Sequence, residues 1–197
     1  MESWFAQTVP HFDIVIAPLS QMLDGSGGAF HATCASTVLT CDAKVIPALQ
    51  SEKTSALAVA EMVEVYEDTQ AGGWDCGRSN GEGLSRVVAA ALYPGVMDDY
   101  AVASAWLSSY RPDYVNVTGP SDTDTLSVAC SVIFLNYLHY VLRYGWGQIC
   151  QSPGATLTQT YTKLTGDNQD PFPHFKVLLD NKYPPGQQVK LSSDNPW

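Results

Sequence analysis

Hydrophobic and polar positions follow two different rhythms along the chain. Near the N-terminus the apolar runs are short and β-branched. Phe12 to Leu19 carries Ile14-Val15-Ile16 and stops at Pro18, which predicts a strand. Gly25-Ser26-Gly27-Gly28 reads as a flexible turn, and Ala29 to Asp42, rich in Thr and Val, predicts a strand or hairpin. From there the period lengthens. Thr54 or Ser55 caps a helix running to about Thr69, which Ala71-Gly72-Gly73 ends. A Gly-containing loop from Trp74 leads to a second helix, Gly81 to Leu92, stopped by Pro94-Gly95. Asp98 to Tyr110 predicts a third. Arg111 to Asp124 is a polar loop, followed by a long apolar helix from Thr125 to Tyr144. Shorter helical stretches are expected near 155–165 and 172–183, with an irregular tail from Pro184.

Strands first and helices afterwards predict an α+β class. The expectation is one domain over residues 1–197: a small N-terminal β-sheet or hairpin in 1–50, a mainly helical bundle around a long central apolar helix in 51–183, and a tail in 184–197. The most apolar stretch, Leu126 to Leu142, contains Asn136 and His139. It sits at the lower limit of the roughly 17–25 residues that span a bilayer, so no transmembrane segment is expected. Met1-Glu2-Ser3-Trp4-Phe5 has no basic region, so no signal peptide is expected either. Localisation stays open.

Composition narrows the partners. At 45% hydrophobic residues the chain can bury a core, and disorder is excluded. Ten Lys and Arg against twenty Asp and Glu give a net charge of -10. Without clustered positive charge, nucleic acid and anionic membrane surfaces are poor partners. A small molecule or an extended peptide in a cleft is the expected ligand. The five cysteines, at 34, 41, 76, 130 and 150, form no CxxC pair and no disulfide-rich scaffold. Cys34 and Cys41 can bridge a hairpin in an oxidising compartment. Cys130, in the most apolar helix, reads as a small buried hydrophobe.

Two helices carry carboxylates where apolar residues are expected. In Leu57-Ala-Val-Ala-Glu61-Met-Val-Glu64-Val-Tyr-Glu67, residues 61 and 64 share a face. Either this face is a solvated stripe continued by Glu67 and Asp68, or it lines a cleft; a buried, unpaired carboxylate would shift its pKa or find a partner. In Ser79-Asn-Gly-Glu82-Gly-Leu-Ser-Arg86, the spacing of Ser79 and Glu82 also fits a simple capping box.

These residues together resemble a thermolysin-like gluzincin metallopeptidase whose zinc site has decayed. Such enzymes carry H-E-x-x-H on one helix and a third zinc ligand, a Glu, on the next. Ala60-Glu61-Met62-Val63-Glu64 matches the first motif with Ala60 and Glu64 in place of the two histidines, while Glu61 keeps the general-base position. Asn80-Gly-Glu82-Gly-Leu-Ser85 resembles the third-ligand motif with one residue inserted, and seventeen residues separate Glu64 from Glu82. Gly28-Ala29-Phe30-His31 through Asp42 resembles the edge strand that holds substrate, and Asp124-Thr-Leu-Ser127 the segment that supplies a transition-state His, here Ser127. The resemblance covers a third to half of the chain and implies a zincin-like fold.

The departures change the implied chemistry. Without both histidines an ordinary zinc-peptidase site is not expected, and no cofactor is expected; a divalent metal at Glu64 and Glu82 is the alternative. Close carboxylates still separate into acid and base without metal. Glu61 is the candidate base and Glu82 or Glu64 the acid. His31, Phe30, Trp74, Tyr66, Arg78 and Ser127 are candidate substrate-binding residues, whereas Trp106 reads as core. A catalytically inactive, peptide-binding pseudopeptidase is the second expectation. A Cys76 nucleophile with His31 or His139, and glycosylation at Asn116-Val-Thr118, have only weak sequence support.

Overall fold

The computed structural model describes residues 1–8, 11–17, 29–42, 49–70, 72–121 and 123–197, with the backbone alone at 17, 42 and 49–51. Pro18, the Gly25–Gly28 turn and Ala71 lie outside the described residues.

The sheet forms where the short β-branched runs stand. Strand β1 (Asp13–Ala17) runs parallel to β3 (Val38–Asp42), and β2 (Ala29–His31) pairs antiparallel to β3. Among the described residues the order is β1-β3-β2, so β2 is an edge strand. Alternate residues of a strand face the same side. Leu39 and Cys41 of β3 and Ala29 of β2 are buried, and Ala29 and Cys41 pack with Ala58 of the first long helix. His31, two residues after Ala29, lies on that same sheet face. Ile14, Val15 and Ile16 of β1 stay exposed.

Helices make up most of the rest, giving an α+β architecture. A short α1 (Glu2–Phe5) precedes the sheet. Helix α2 (Leu49–Thr69) begins five residues before its expected cap at Thr54. The residues before the cap, Gln50 to Lys53, form helix readily. Lys53 anchors this end, donating from Nζ to Asp99 Oδ2 at 3.2 Å and covering the Tyr100 ring. Helix α3 (Ser79–Leu92) packs on α2 and on α5 (Thr125–Asn136). At the α3–α5 crossing, a Cβ on Gly83 would come within 2.6 Å of Ser131 Cβ, so only glycine allows this approach.

The expected helix over 98–110 is two pieces. A 3₁₀ turn (Val96–Tyr100) is followed by α4 (Ala103–Leu107). Asp194 Oδ1 accepts from Val102 N and Ala103 N, both at 2.7 Å, and so starts a new helix at this point. The stretch expected as one helix to Tyr144 is α-helical only to Asn136. It continues as a π turn over Tyr137–Val141, where Leu142 N donates to Tyr137 O. Asn136 Nδ2 donates to Asp194 O at 3.1 Å, and His139 Nδ1 lies 2.7 Å from Tyr144 O. These contacts to other segments hold the wider turn.

Every residue of α5 from Ser127 to Asn136 is buried. Around it α6 (Trp146–Cys150), α7 (Leu157–Thr165) and α8 (Phe172–Lys182) close the core, where Trp106, Phe134, Tyr137 and Phe175 meet ring to ring. Buried Arg111 pairs with Asp180 and donates to the carbonyls of Leu107 and Tyr183. Among the described residues no helix is long and apolar enough to cross a membrane.

Candidate functional site

Strand β2, helix α2, helix α3 and the start of α5 enclose a cleft of about 610 Å³. Its polar wall is built by periodicity. Leu57, Ala60, Glu61 and Glu64 lie on one side of α2 and all line the cleft, as do Glu82, Ser85 and Arg86 of α3. Phe30 and His31 close it from the edge strand. Five of the candidate residues, His31, Phe30, Glu61, Glu64 and Glu82, therefore come together from three separate elements.

His31 organises the charge. Its Nε2 lies 2.9 Å from Glu64 Oε2 and 3.6 Å from Glu61 Oε2. Burial pushes the imidazole toward its neutral form, but the bond to Glu64 and the charges of Glu64 and Glu61 outweigh it, and its pKa is raised. The two carboxylates thus favour the protonated form of the ring. The side chains of His31, Glu61 and Glu64 are only 5%, 15% and 11% exposed, so the face is not the solvated stripe. Glu82 forms no capping box either. Arg78 occupies the N-cap, Ser79 Oγ instead accepts from Gly119 N, and Glu82 Oε1 holds Arg86 Nε at 2.6 Å. Arg86 in turn donates to Tyr100 O at 3.0 Å.

One group the sequence singled out only as part of a stripe lies beneath this wall. Glu67 is fully buried, and neither carboxylate oxygen has a hydrogen-bond partner among the described residues. A Cβ on Gly81 would come within 2.5 Å of Glu67 Oε2. Burial first, then the charges of Glu64, Glu82 and Asp75, push its carboxyl pKa well above the usual range.

The remaining candidates lie elsewhere. Trp74 is buried, and its Nε1 donates to Cys150 O at 3.2 Å. Tyr66 is buried against Phe5, with ring centroids 5.0 Å apart. Ser127 is buried with its Oγ bonded to Asp124 O, and its neighbours Thr125 and Val128 reach the cleft instead. Arg78 is exposed and pairs with Asp75. For Trp74, Tyr66 and Ser127 the reason is the same: each packs into the core rather than into the cleft. Trp106 is buried, and its Nε1 bonds Pro112 O.

The cysteines pair differently from the hairpin bridge that the sequence allows. Cys34, in the β2–β3 turn, is bonded to Cys76 in the α2–α3 loop, with Cα atoms 6.0 Å apart. Cys41 points from β3 under α2 and is a buried free thiol. The disulfide forms part of the cleft wall and removes Cys76 as a free nucleophile. His139 bonds Tyr144 O and stacks on Trp146. At the sequon, Asn116 Nδ2 already donates to Asp113 and Asp170, both at 2.7 Å.

His31, Glu61 and Glu64 offer one nitrogen and carboxylate oxygens at distances suited to proton transfer or to a divalent ion. Glu82 is committed to Arg86. No family model matches the chain, and no curated protein or solved structure is significantly similar to it.

Proposed function

We propose that the protein is a metal-independent acid–base enzyme, a hydrolase or lyase for a small molecule, sugar or peptide. In this reading its scaffold is gluzincin-like and has lost the zinc-peptidase site. The observation that carries the reading is His31 Nε2 held 2.9 Å from Glu64 and 3.6 Å from Glu61 in the wall of a cleft of about 610 Å³. The raised His31 pKa favours the protonated ring, a proton donor, and a carboxylate 3.6 Å away provides the acceptor. His31 then replaces Glu82 as the acid, because Glu82 Oε1 is already bonded to Arg86 Nε at 2.6 Å. Glu61 is the base, and Glu64 orients His31. Two motif-bearing helices beside an edge strand support the zincin-like part of the reading.

The test is a screen of chromogenic glycosides, esters and peptides, followed by the Glu61→Gln variant. Turnover lost in Glu61→Gln, with the variant still folding cooperatively, is expected. Turnover that survives in the variant sinks the assignment of Glu61.

A second reading rests on β2. As an edge strand along the cleft, it can pair with an extended peptide. Peptide binding by the wild-type protein, with no turnover of any substrate in the screen, would favour that reading.

A further inference from the structure

Three ligand atoms of different chemistry converge at one end of the cleft. His31 Nε2, a Glu64 carboxylate oxygen and Cys76 Sγ all lie within 4.8 Å of one another. While Cys76 is bonded to Cys34, its sulfur carries no charge and is a poor ligand. Breaking that bond changes the donor set to a thiolate, an imidazole and a carboxylate, a combination suited to zinc. Glu61 Oε2 lies 3.6 Å from His31 Nε2, beside this group.

We propose that the Cys34–Cys76 disulfide is a redox latch over a zinc site, and that its reduction lets Cys76 bind Zn²⁺ together with His31 and Glu64. Zinc on His31 Nε2 occupies the atom that the acid–base reading uses, so the loaded state is inactive. The inhibitory consequence rests on that reading; zinc uptake does not.

The geometry requires little movement. With Zn–S near 2.3 Å and Zn–N near 2.0 Å, tetrahedral ligands put S and N about 3.5 Å apart. His31 and Glu64 are already at 2.9 Å. The three atoms already lie within 4.8 Å of one another, and reduction frees Cys76 to turn about its Cα–Cβ bond. Cys34 and Cys76 line the open cleft, so a small dithiol reaches the bond. One thiolate of the dithiol attacks a sulfur of the disulfide, forming a mixed disulfide. Its second thiol then closes to a cyclic disulfide. Two electrons and two protons pass from the dithiol to the protein, leaving Cys34 and Cys76 as thiols. The Cys76 thiol gives its proton to solvent as zinc binds.

The experiment uses the full chain, oxidised and dithiol-reduced, with the reductant removed under nitrogen. Zinc is titrated against a chromophoric chelator, and Co²⁺ is added as a spectroscopic substitute. The reduced protein should bind one zinc per chain, at least about tenfold more tightly than the oxidised form, because thiolate is the softer ligand. Its Co²⁺ form should show a sulfur-to-cobalt charge-transfer band. Cys76→Ser should abolish the band, and Cys34→Ser should show it without any reductant. Reduced wild-type protein that binds no zinc, or Cys76→Ser that binds it equally, overturns the proposal. Because reduction of the wild type already removes the cross-link, poor folding of either variant does not block the test. Zinc uptake without detectable turnover sustains the latch and counts against the acid–base reading; turnover without zinc uptake does the reverse.

Discussion

Glu67 makes the buried carboxylates of α2 measurable. Its side chain is fully buried, and its two oxygens have no hydrogen-bond partner among the described residues. Burial and the nearby charges of Glu64, Glu82 and Asp75 raise its pKa well above that of the unfolded chain. Between the unfolded value, about 4.3, and the raised folded value, the native state binds the extra proton. Stability from this proton is therefore complete below about pH 4.3 and is lost as pH rises through the folded value. The slope of that loss is a factor of ten in the folding equilibrium per pH unit, about 1.4 kcal/mol.

Glu67→Gln has the shape of the neutral acid and does not titrate. Each carries one carbonyl oxygen and one donor group, so the cost of burying the two nearly cancels, leaving them within about 1 kcal/mol at pH 4. Above that the variant should become the more stable protein, the gap widening by about 1.4 kcal/mol per unit before it levels off. Urea unfolding of both proteins at several pH values from 4 to 8 reads this difference, and most other titrations are common to both and cancel. A gap that stays constant across this range would mean that Glu67 titrates normally, and the buried, partnerless account of it would be wrong.

Two further outcomes follow from the same wall and its supporting helices. His31→Phe leaves Glu61 and Glu64 without their shared cation and should cost about 3 kcal/mol, the lower end for a broken buried pair because both carboxylates keep some exposure. Since the His31 pKa is raised, its stabilisation is complete below about pH 6.5 and fades as pH rises through the folded value, so the deficit should be larger at pH 6 than at pH 9. Equal deficits at the two pH values in urea unfolding would refute the ion pair. Gly83→Ala should lower stability by about 1–3 kcal/mol through overpacking against Ser131, whereas Gly77→Ala, whose new Cβ would come no nearer than 3.6 Å to Asp75 Oδ1, should not. Calorimetric midpoints that move equally for both would remove the close α3–α5 approach.

Much of the site was legible in the sequence because helical spacing is local. Residues 61 and 64 had to share a face, and acidic residues at apolar-flanked positions signalled a special environment. Phe30 and His31 were named from a strand that the β-branched pattern marked. What the pattern could not supply was depth. Trp74, Tyr66 and Ser127 are polar-tipped or aromatic side chains, equally suited to a groove or a core, and packing against distant segments sent them to the core. The capping-box spacing of Ser79 and Glu82 was real, but Gly119 and Arg86 compete for those side chains and win them.

Element types along the chain follow from short-range physics: β-branched runs for strands, 3.6-residue periodicity for helices, and Pro and Gly for their ends. The breaks at Ala101–Val102 and Asn136 follow from Asp194, more than fifty residues away, which no local window contains. The same holds for the cysteines. Cys34 and Cys41 are neighbours in sequence, but the sheet turns Cys41 under α2, and Cys34 meets Cys76 across 42 residues. Local patterning set the types of the elements, the negative charge and the spacing of the carboxylates on α2 and α3, but not where two of the helices break. The position of His31 beside Glu61, Glu64 and the disulfide came from folding, because that encounter depends on how the sheet docks on the helix.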